Sequence, residues 1–365
     1  MPIKLLLVDD SIFMRNAIKK VLSVPEIEIV GTANNGKEAV EKNLLLNPDV
    51  ILTDIEMPIM NGLDEIKQVM ETNPTPIIVF SSISVEGSEV TMKALEYGAL
   101  DFVTKDTTAF DISHVKDDLI KKIVTLGSNK FIKANLKAKF SRSSNKSATI
   151  SKETIPTPKH NVVALPNYVG KRHRPSPDDI KIVCIGISTG GPVALQEVIP
   201  GIPENYPVPI LIVQHMPPHF TANLANRLNQ SSAINVVEAE DGIELKAGTV
   251  YIGKGGYQML VTKHNKLQVT DKIEGQLFNP SVNVMVNSIV EVYKDKAVGI
   301  IMTGMGNDGQ IGLTNLNKAG GYIISQSKES CVVAGMPGSV IDNNIAHEIQ
   351  PLHCIAGTIT ALFQK

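Results

Sequence analysis

Strand-length apolar runs that end on reactive side chains, separated by helix-period stretches, constrain this 365-residue chain more than any other feature. In the first third, Lys4 to Val8, Val50 to Thr53, Ile77 to Phe80 and Phe102 to Val103 are unbroken and bounded by turn residues, with Glu28 to Gly31 as a fifth candidate. Ser11 to Leu22, Gly36 to Leu46, Leu63 to Met70 and Ser88 to Tyr97 supply helices between them. Runs without polar alternation belong to strands buried on both faces, and their alternation with helices gives a doubly wound α/β sheet of five parallel strands. Crossovers between parallel strands are right-handed, so all carboxyl ends share one edge, where such folds hold their ligands. Asp9, Asp10, Asp54, Ser81 and Lys105 all fall on that edge.

The rhythm resumes after Ile180, with strands predicted over Lys181 to Ile187, Ile210 to Gln214, Thr249 to Ile252 and Val298 to Met302. Helices are predicted near Val193 to Ile199, Thr221 to Leu228 and Val282 to Tyr293, which makes this a second, Rossmann-like α/β domain. Met259 to Thr262 and Lys266 to Thr270 alternate with period two around His264-Asn265, the pattern of an antiparallel hairpin appended to the sheet.

Between these regions periodicity fades into Lys, Ser, Asn and Pro. Residues 1–125 carry 12 Lys and Arg against 20 Asp and Glu, residues 126–179 carry 11 against 3, and residues 180–365 carry 12 against 14. The expected division is therefore an acidic domain over 1–125, a flexible basic linker over 126–179 and a second domain over 180–365. Within the linker only Lys130 to Phe140, where Ile132, Leu136 and Phe140 recur every fourth residue, suggests a helix. No apolar run approaches the roughly 18 residues that cross a bilayer. The first apolar stretch is too short for a secretion signal and meets two acids, while Cys184, Cys331 and Cys354 are odd in number and widely spaced. The expectation is a soluble cytoplasmic protein with reduced thiols and no membrane insertion.

Two adjacent acids after the first strand and a third after the third strand gather three carboxylates in one small space. Their mutual repulsion favours a divalent cation, with Mg²⁺ the natural occupant, held by Asp9, Asp10 and Asp54. So neutralised, Asp54 becomes a nucleophile towards a phosphoryl group, Lys105 pairs with the phosphoryl oxygens and Ser81 hydrogen-bonds the product. The motifs Leu7-Val8-Asp9-Asp10, Leu52-Thr53-Asp54-Ile55-Glu56-Met57-Pro58, Phe80-Ser81-Ser82 and Asp101-Phe102-Val103-Thr104-Lys105 resemble those of response-regulator receiver domains. That resemblance implies a flavodoxin-like fold, phosphorylation of Asp54 by a histidine kinase, and Phe102 as the aromatic that reports phosphorylation. Asp106 departs from the family pattern, which has proline after the lysine.

Gly186-Ile187-Ser188-Thr189-Gly190-Gly191 leaves a strand and enters a helix whose first turn holds Pro192. Small residues let the serine turn sharply into the open near helix-terminal N–H groups. The same glycine-rich turn also suits a phosphate or a dinucleotide. His215 ends the strand Ile210 to Gln214 and Asp308 follows Val298 to Met302, so both reach the edge that carries Ser188. Such a set performs acyl transfer, with Ser188 attacking, His215 carrying the proton and Asp308 fixing the imidazole, and it asks for no cofactor. The GxSxG match also admits an α/β-hydrolase order, in which Asp308 pairs with His347 or His353. Against that order, Ser188 follows the first strand of its domain rather than a later one.

Gly186 to Gly191, Val213-Gln214-His215-Met216-Pro217, Thr303 to Gly309 and Cys331-Val332-Val333-Ala334-Gly335-Met336-Pro337 are similar to the motifs of the CheB family of chemotaxis methylesterases, across Ile180 to Phe363. The resemblance implies phosphorylation-activated hydrolysis of glutamate γ-methyl esters on chemoreceptor cytoplasmic helices, with release of methanol, and deamidation of receptor glutamines. It further implies the histidine kinase CheA as phosphodonor, Thr189 as an aid to His215, and the Met305 N–H in an oxyanion hole. A DNA-binding output is disfavoured because the second domain is slightly acidic and lacks a helix-turn-helix pattern. A silent scaffold is disfavoured by the complete serine, histidine and aspartate set.

Overall fold

The structure is a computed structural model that describes residues 1–105, 115–144, 167–168 and 173–364. The chain divides into two compact units, Met1–Asn161 and Val162–Lys365. No helix among the described residues is long and apolar enough to cross a membrane.

The first unit holds β1 (Ile3–Val8), β2 (Ile27–Ala33), β3 (Val50–Thr53), β4 (Ile77–Ser82) and β5 (Asp101–Lys105), all parallel, in the order β2-β1-β3-β4-β5. Leu5, Leu6, Leu7, Ile51 and Leu52 are wholly buried, as strands covered on both faces require. Helices α1 (Ile12–Val21), α2 (Gly36–Leu46), α3 (Gly62–Thr72), α4 (Val85–Tyr97) and α5 (Lys116–Ser128) cover the sheet. The first four begin where Ser11, Asn35, Asn61 and Ser84 accept a hydrogen bond from a backbone N–H of the first turn. Val8 pairs with Thr53, so Asp9 and Asp54 leave neighbouring strands side by side. The strand order reverses between β1 and β3, which opens a crevice there.

Order continues past residue 125, into the segment expected to be a flexible linker. Helix α6 (Lys130–Ser144) follows α5 directly. Ile132 and Leu136 are buried, and the Lys133 ammonium donates to Asn47 Oδ1 and the Pro48 carbonyl at 2.8 and 2.9 Å. The fourth-residue spacing thus marked a packed face, which the surrounding lysines masked. Asp106 lies outside the described residues.

The second unit has an eight-stranded sheet in the order β6-β15-β14-β13-β7-β8-β10-β9. Its strands are β6 (Asn167–Tyr168), β7 (Ile182–Ile187), β8 (Ile210–Gln214), β9 (Asn235–Glu238), β10 (Thr249–Ile252), β13 (Ala297–Ile301), β14 (Tyr322–Gln326) and β15 (Glu348–Gln350). All are parallel except β6, which runs antiparallel to β15. Helices α7 (Gly191–Val198), α8 (Phe220–Ser231), α9 (Val282–Tyr293), α10 (Gln310–Ala319), α11 (Gly335–Ile341) and α12 (Leu352–Ala361) complete the unit. Near the end of the supposed linker, Arg174 forks onto the buried Glu348 carboxylate, with Nε 2.8 Å from Oε2. The hairpin of β11 (Gln258–Val261) and β12 (Leu267–Thr270) forms a sheet of its own rather than an extension of the main one. The Ser288 hydroxyl of α9 takes the Val261 N–H at 3.0 Å, a donor that a main-sheet neighbour would otherwise accept. The first of the parallel strands, β7, lies between β8 on one side and β13 on the other, so this unit also has a switch point.

Candidate active site and phosphoacceptor pocket

In the first unit Asp9 and Asp54 are buried and Asp10 is exposed, and one oxygen from each lies within 4.8 Å of the others. Lys105 reaches from β5 to Asp54 Oδ2 at 2.5 Å, while Asp54 Oδ1 accepts the Ile55 N–H at 2.7 Å. Asp9 Oδ1 accepts the Ser11 N–H at 2.8 Å, but its Oδ2 is buried without a partner. Burial, reinforced by the charge of Asp54, pushes the Asp9 carboxyl up to about 6. An orphaned buried oxygen among three converging carboxylates is what a hard divalent cation fits.

Ser81 sits on the same edge with its hydroxyl turned towards α4, donating to the Gly87 carbonyl at 3.3 Å and accepting from Thr91 at 2.6 Å. Phe102 is buried, with the Lys122 ammonium 5.7 Å from its ring centre. The structure therefore gathers Asp9, Asp10, Asp54 and Lys105, holds Ser81 on the same edge in other contacts, and sets Phe102 three residues before Lys105 on β5, against Lys122.

In the second unit Ser188, His215 and Asp308 leave β7, β8 and β13, three adjacent strands. Ile187 pairs with Gln214 in the ladder, so Ser188 and His215 emerge at the same level. The Ser188 N–H donates to Thr303 O at 2.9 Å and the His215 N–H to Ile187 O at 3.2 Å. Gln214, itself buried, donates through Nε2 to the carbonyls of Ser188 at 3.0 Å and His215 at 3.3 Å, bridging the two turns. Gly190 then takes φ +77°, and a side chain there would drive into Val332; a side chain at Gly304 would reach within 2.9 Å of Ser188 Cβ.

His215 Nε2 lies 2.8 Å from Asp308 Oδ2, and Nδ1 is buried with no partner. Asp308 also accepts from Val282 N at 2.7 Å, Asn283 N at 3.0 Å, Gly309 N at 3.0 Å and the Ser281 hydroxyl at 3.1 Å. Its carboxylate thus rests on the amino terminus of α9, where backbone N–H groups favour negative charge. Burial alone would raise the Asp308 carboxyl, yet His215 and the N–H groups of Asn283 and Val282 hold it below the usual range. Phe278 stacks on the His215 ring, with centroids 4.1 Å apart and planes 4° from parallel.

Thr189 is buried, its carbonyl accepting from the Thr303 hydroxyl at 2.9 Å, and Met305 is half-buried in the loop between β13 and α10. His347 is a packing residue: its Nδ1 accepts the Ile323 N–H at 2.9 Å and its ring stacks on Tyr322. His353 is exposed on α12, so the α/β-hydrolase order finds no partner for Asp308. Sequence reasoning missed Phe278, Gln214 and the donors at 281–283; of these only Ser281 left a signal, a cap residue ahead of an apolar helix.

Comparison with known proteins defines the class. Residues 5–116 match the response regulator receiver domain family and residues 183–359 the CheB methylesterase family. The chain is similar to a Bacillus licheniformis protein named protein-glutamate methylesterase/protein-glutamine glutaminase, at 42% identity over 370 residues, covering 100% of this chain and 99% of that one. A Bacillus subtilis protein of the same name is 40% identical over 371 residues, with 100% and 99% covered. The crystal structure of the CheB methylesterase catalytic domain of Thermotoga maritima is similar at 41% identity and a TM-score of 0.49, covering 50% of this chain and 98% of that one. The chain belongs to the CheB family of protein-glutamate methylesterase/protein-glutamine glutaminases.

Proposed function

We propose that this protein hydrolyses glutamate γ-methyl esters on chemoreceptors, deamidates receptor glutamines, and is activated by phosphorylation of Asp54 in adaptation during chemotaxis. The observation that carries the reading is His215, bound to Asp308 through Nε2 with Nδ1 buried and unpartnered beside the turn that presents Ser188. With the Nε2 proton donated to Asp308, Nδ1 is the acceptor. Ser188 Oγ attacks the γ-carbonyl carbon while Nδ1 takes its proton, and Asp308 stabilises the imidazolium. The Met305 N–H stabilises the oxyanion, and Thr189 supports His215. Collapse breaks the bond to the methoxy oxygen, which leaves as methanol with the proton from His215. Water, deprotonated by the same nitrogen, then frees Ser188 and leaves a glutamate carboxylate. For glutamine the leaving group is ammonia.

In the receiver domain, taken as 1–125, Asp9, Asp10 and Asp54 would hold Mg²⁺. When bound, the ion offsets the charge that develops on the transferring phosphoryl group. Asp54 attacks phosphorus as the phosphorus–nitrogen bond of a phosphohistidine on CheA breaks, and Lys105 pairs with the phosphoryl oxygens. The Ser81 hydroxyl leaves its α4 contacts for the product, and Phe102 responds to that change. The catalytic domain, taken as 180–365, needs no cofactor, and the reaction takes place in the cytoplasm, where the kinase and the receptor's modified segment meet. The test is methanol release from a methylated receptor fragment with and without a small phosphodonor and Mg²⁺. Release that increases with phosphodonor supports the reading; no release in either condition refutes it.

A further inference from the structure

The segment between β12 and α9 has two faces. Inwardly, Phe278 stacks on His215, and Ser281, Val282 and Asn283 hold Asp308. Gln258, fully buried on β11, pins this face by donating to Phe278 O at 2.7 Å and Asn279 Oδ1 at 2.8 Å and by accepting the Ser281 N–H at 2.9 Å. Outwardly the segment shows two exposed apolar side chains among the exposed Asp271, Lys272, Glu274 and Gln276. Leu277, next to Phe278, is 82% exposed, and Ile273, joined to it by a turn in which Gln276 N donates to Ile273 O at 3.1 Å, is 38% exposed. Tyr257 adds an exposed ring, and the residues on either side of it, Gly256 and Gln258, both bond to residues 278–279.

One exposed leucine is ordinary on a protein surface, whereas several apolar side chains beside a reactive centre mark a binding site. The core does not require them here, since none of the three is buried. Leu277 is bonded directly to Phe278, whose ring lies on His215, so these side chains adjoin the reactive group to which a glutamyl ester must be delivered. Lys254, whose ammonium lies 5.2 Å from the centre of the Tyr257 ring, adds a cation to this surface.

We propose that Leu277, Ile273 and Tyr257 form the docking rim for the protein segment carrying the glutamyl ester, and that they receive the apolar side chains flanking that glutamate. The inference rests on the esterase reading above. Because the same segment grips His215 and Asp308 from within, docking and alignment of the base occur on one structural element.

The experiment uses the full-length chain with Mg²⁺ and a small phosphodonor, and compares it with the double variant Leu277→Ser and Ile273→Ser on a methylated receptor cytoplasmic fragment. The expected result is a rise in KM of about 10-fold or more with kcat within about twofold, because the side chains act in binding rather than in chemistry. Binding of the same fragment to chains that also carry Ser188→Ala should weaken in parallel. Unchanged KM and Kd would overturn the proposal, and so would a loss confined to kcat with unchanged Kd. If the unsubstituted chain released no methanol, the esterase reading would fail, and the Kd comparison would still decide whether the rim docks the fragment.

Discussion

Asp9 and Asp308 each follow a parallel strand at the point where its sheet reverses order, yet their surroundings are opposite. Asp9 has one oxygen bonded to Ser11 N–H and one buried without a partner, beside the charge of Asp54, and its carboxyl is pushed up to about 6. Asp308 is also buried, but accepts from His215, three backbone N–H groups and a hydroxyl, and is held below the usual range. The sheet edge brings acids together in both units; the supply of donors decides what each becomes. On the proposed reading, a carboxylate left short of donors would serve as a cation ligand, and one fully supplied as a fixed counter-charge for an imidazolium.

The comparison is broken most severely at the nucleophile. Ser188→Ala should leave a folded chain whose methanol release falls by roughly 10⁴-fold or more, with His215→Ala similarly damaging, because triad members act as a unit. Asp308→Ala should lose less, by about one to two orders of magnitude in kcat, since Asp308 stabilises charge without transferring a proton. A loss at Asp308 equal to that at Ser188 would mean that the grip of α9 on this carboxylate is needed for more than charge. Near-normal turnover of Ser188→Ala would remove the assignment altogether.

A second break separates the two acids by their need for metal. Asp54→Asn should accept no phosphoryl group from a small phosphodonor, judged by hydroxylamine-labile label. Asp9→Asn should retain the acceptor and lose Mg²⁺ dependence, because it removes a ligand whose charge the cation offsets. Substantial label on Asp54→Asn would place the acceptor elsewhere. Label on Asp9→Asn with an unaltered Mg²⁺ requirement would show that the orphaned oxygen is not a ligand.

The candidate site residues that the structure gathers were legible in the sequence because each ends or follows an apolar run, and the parallel topology carries every such end to one edge. The five receiver strands followed for the same reason. In the second domain β9, β14 and β15 were not foreseen, being brief or partly polar: Gln326 and Glu348 are buried there only because neighbouring groups satisfy them, Gln326 Nε2 donating to the Ser330 carbonyl and hydroxyl and Arg174 donating to Glu348. Helix α6 was suggested by the fourth-residue spacing of Ile132, Leu136 and Phe140, but its lysines placed it within the expected linker. The grip on Asp308 left almost no trace, since its donors are mostly backbone N–H groups whose placement depends on Gln258, some twenty residues away in sequence. Phe278 belongs to an irregular segment without periodicity, so nothing local could assign its ring to His215.

The smallest expected effect sharpens the comparison with a third buried acid. Glu65 of α3 is fully buried, with Oε2 2.7 Å from the Thr53 hydroxyl and Oε1 unpartnered, and the strand carrying Thr53 continues into Asp54. Burial pushes this carboxyl from 4.5 up to about 8 against the opposing Thr53 bond. A raised folded-state value means that the native chain binds the proton more tightly than the unfolded one. The stability this contributes is complete below about 4.5 and is lost as pH rises through about 8. Glu65→Gln keeps a neutral group of the same shape and does not titrate. It should match the unsubstituted chain in urea unfolding near pH 5 and become more stable than it by pH 8, by an amount on the order of 1 to a few kcal/mol. Methanol release should be unchanged, because Glu65 touches neither proposed site directly. If the two chains keep the same stability difference from pH 5 to pH 8, Glu65 stays charged in the native state, and a buried carboxylate short of donors in this unit would not need a cation or a proton to persist.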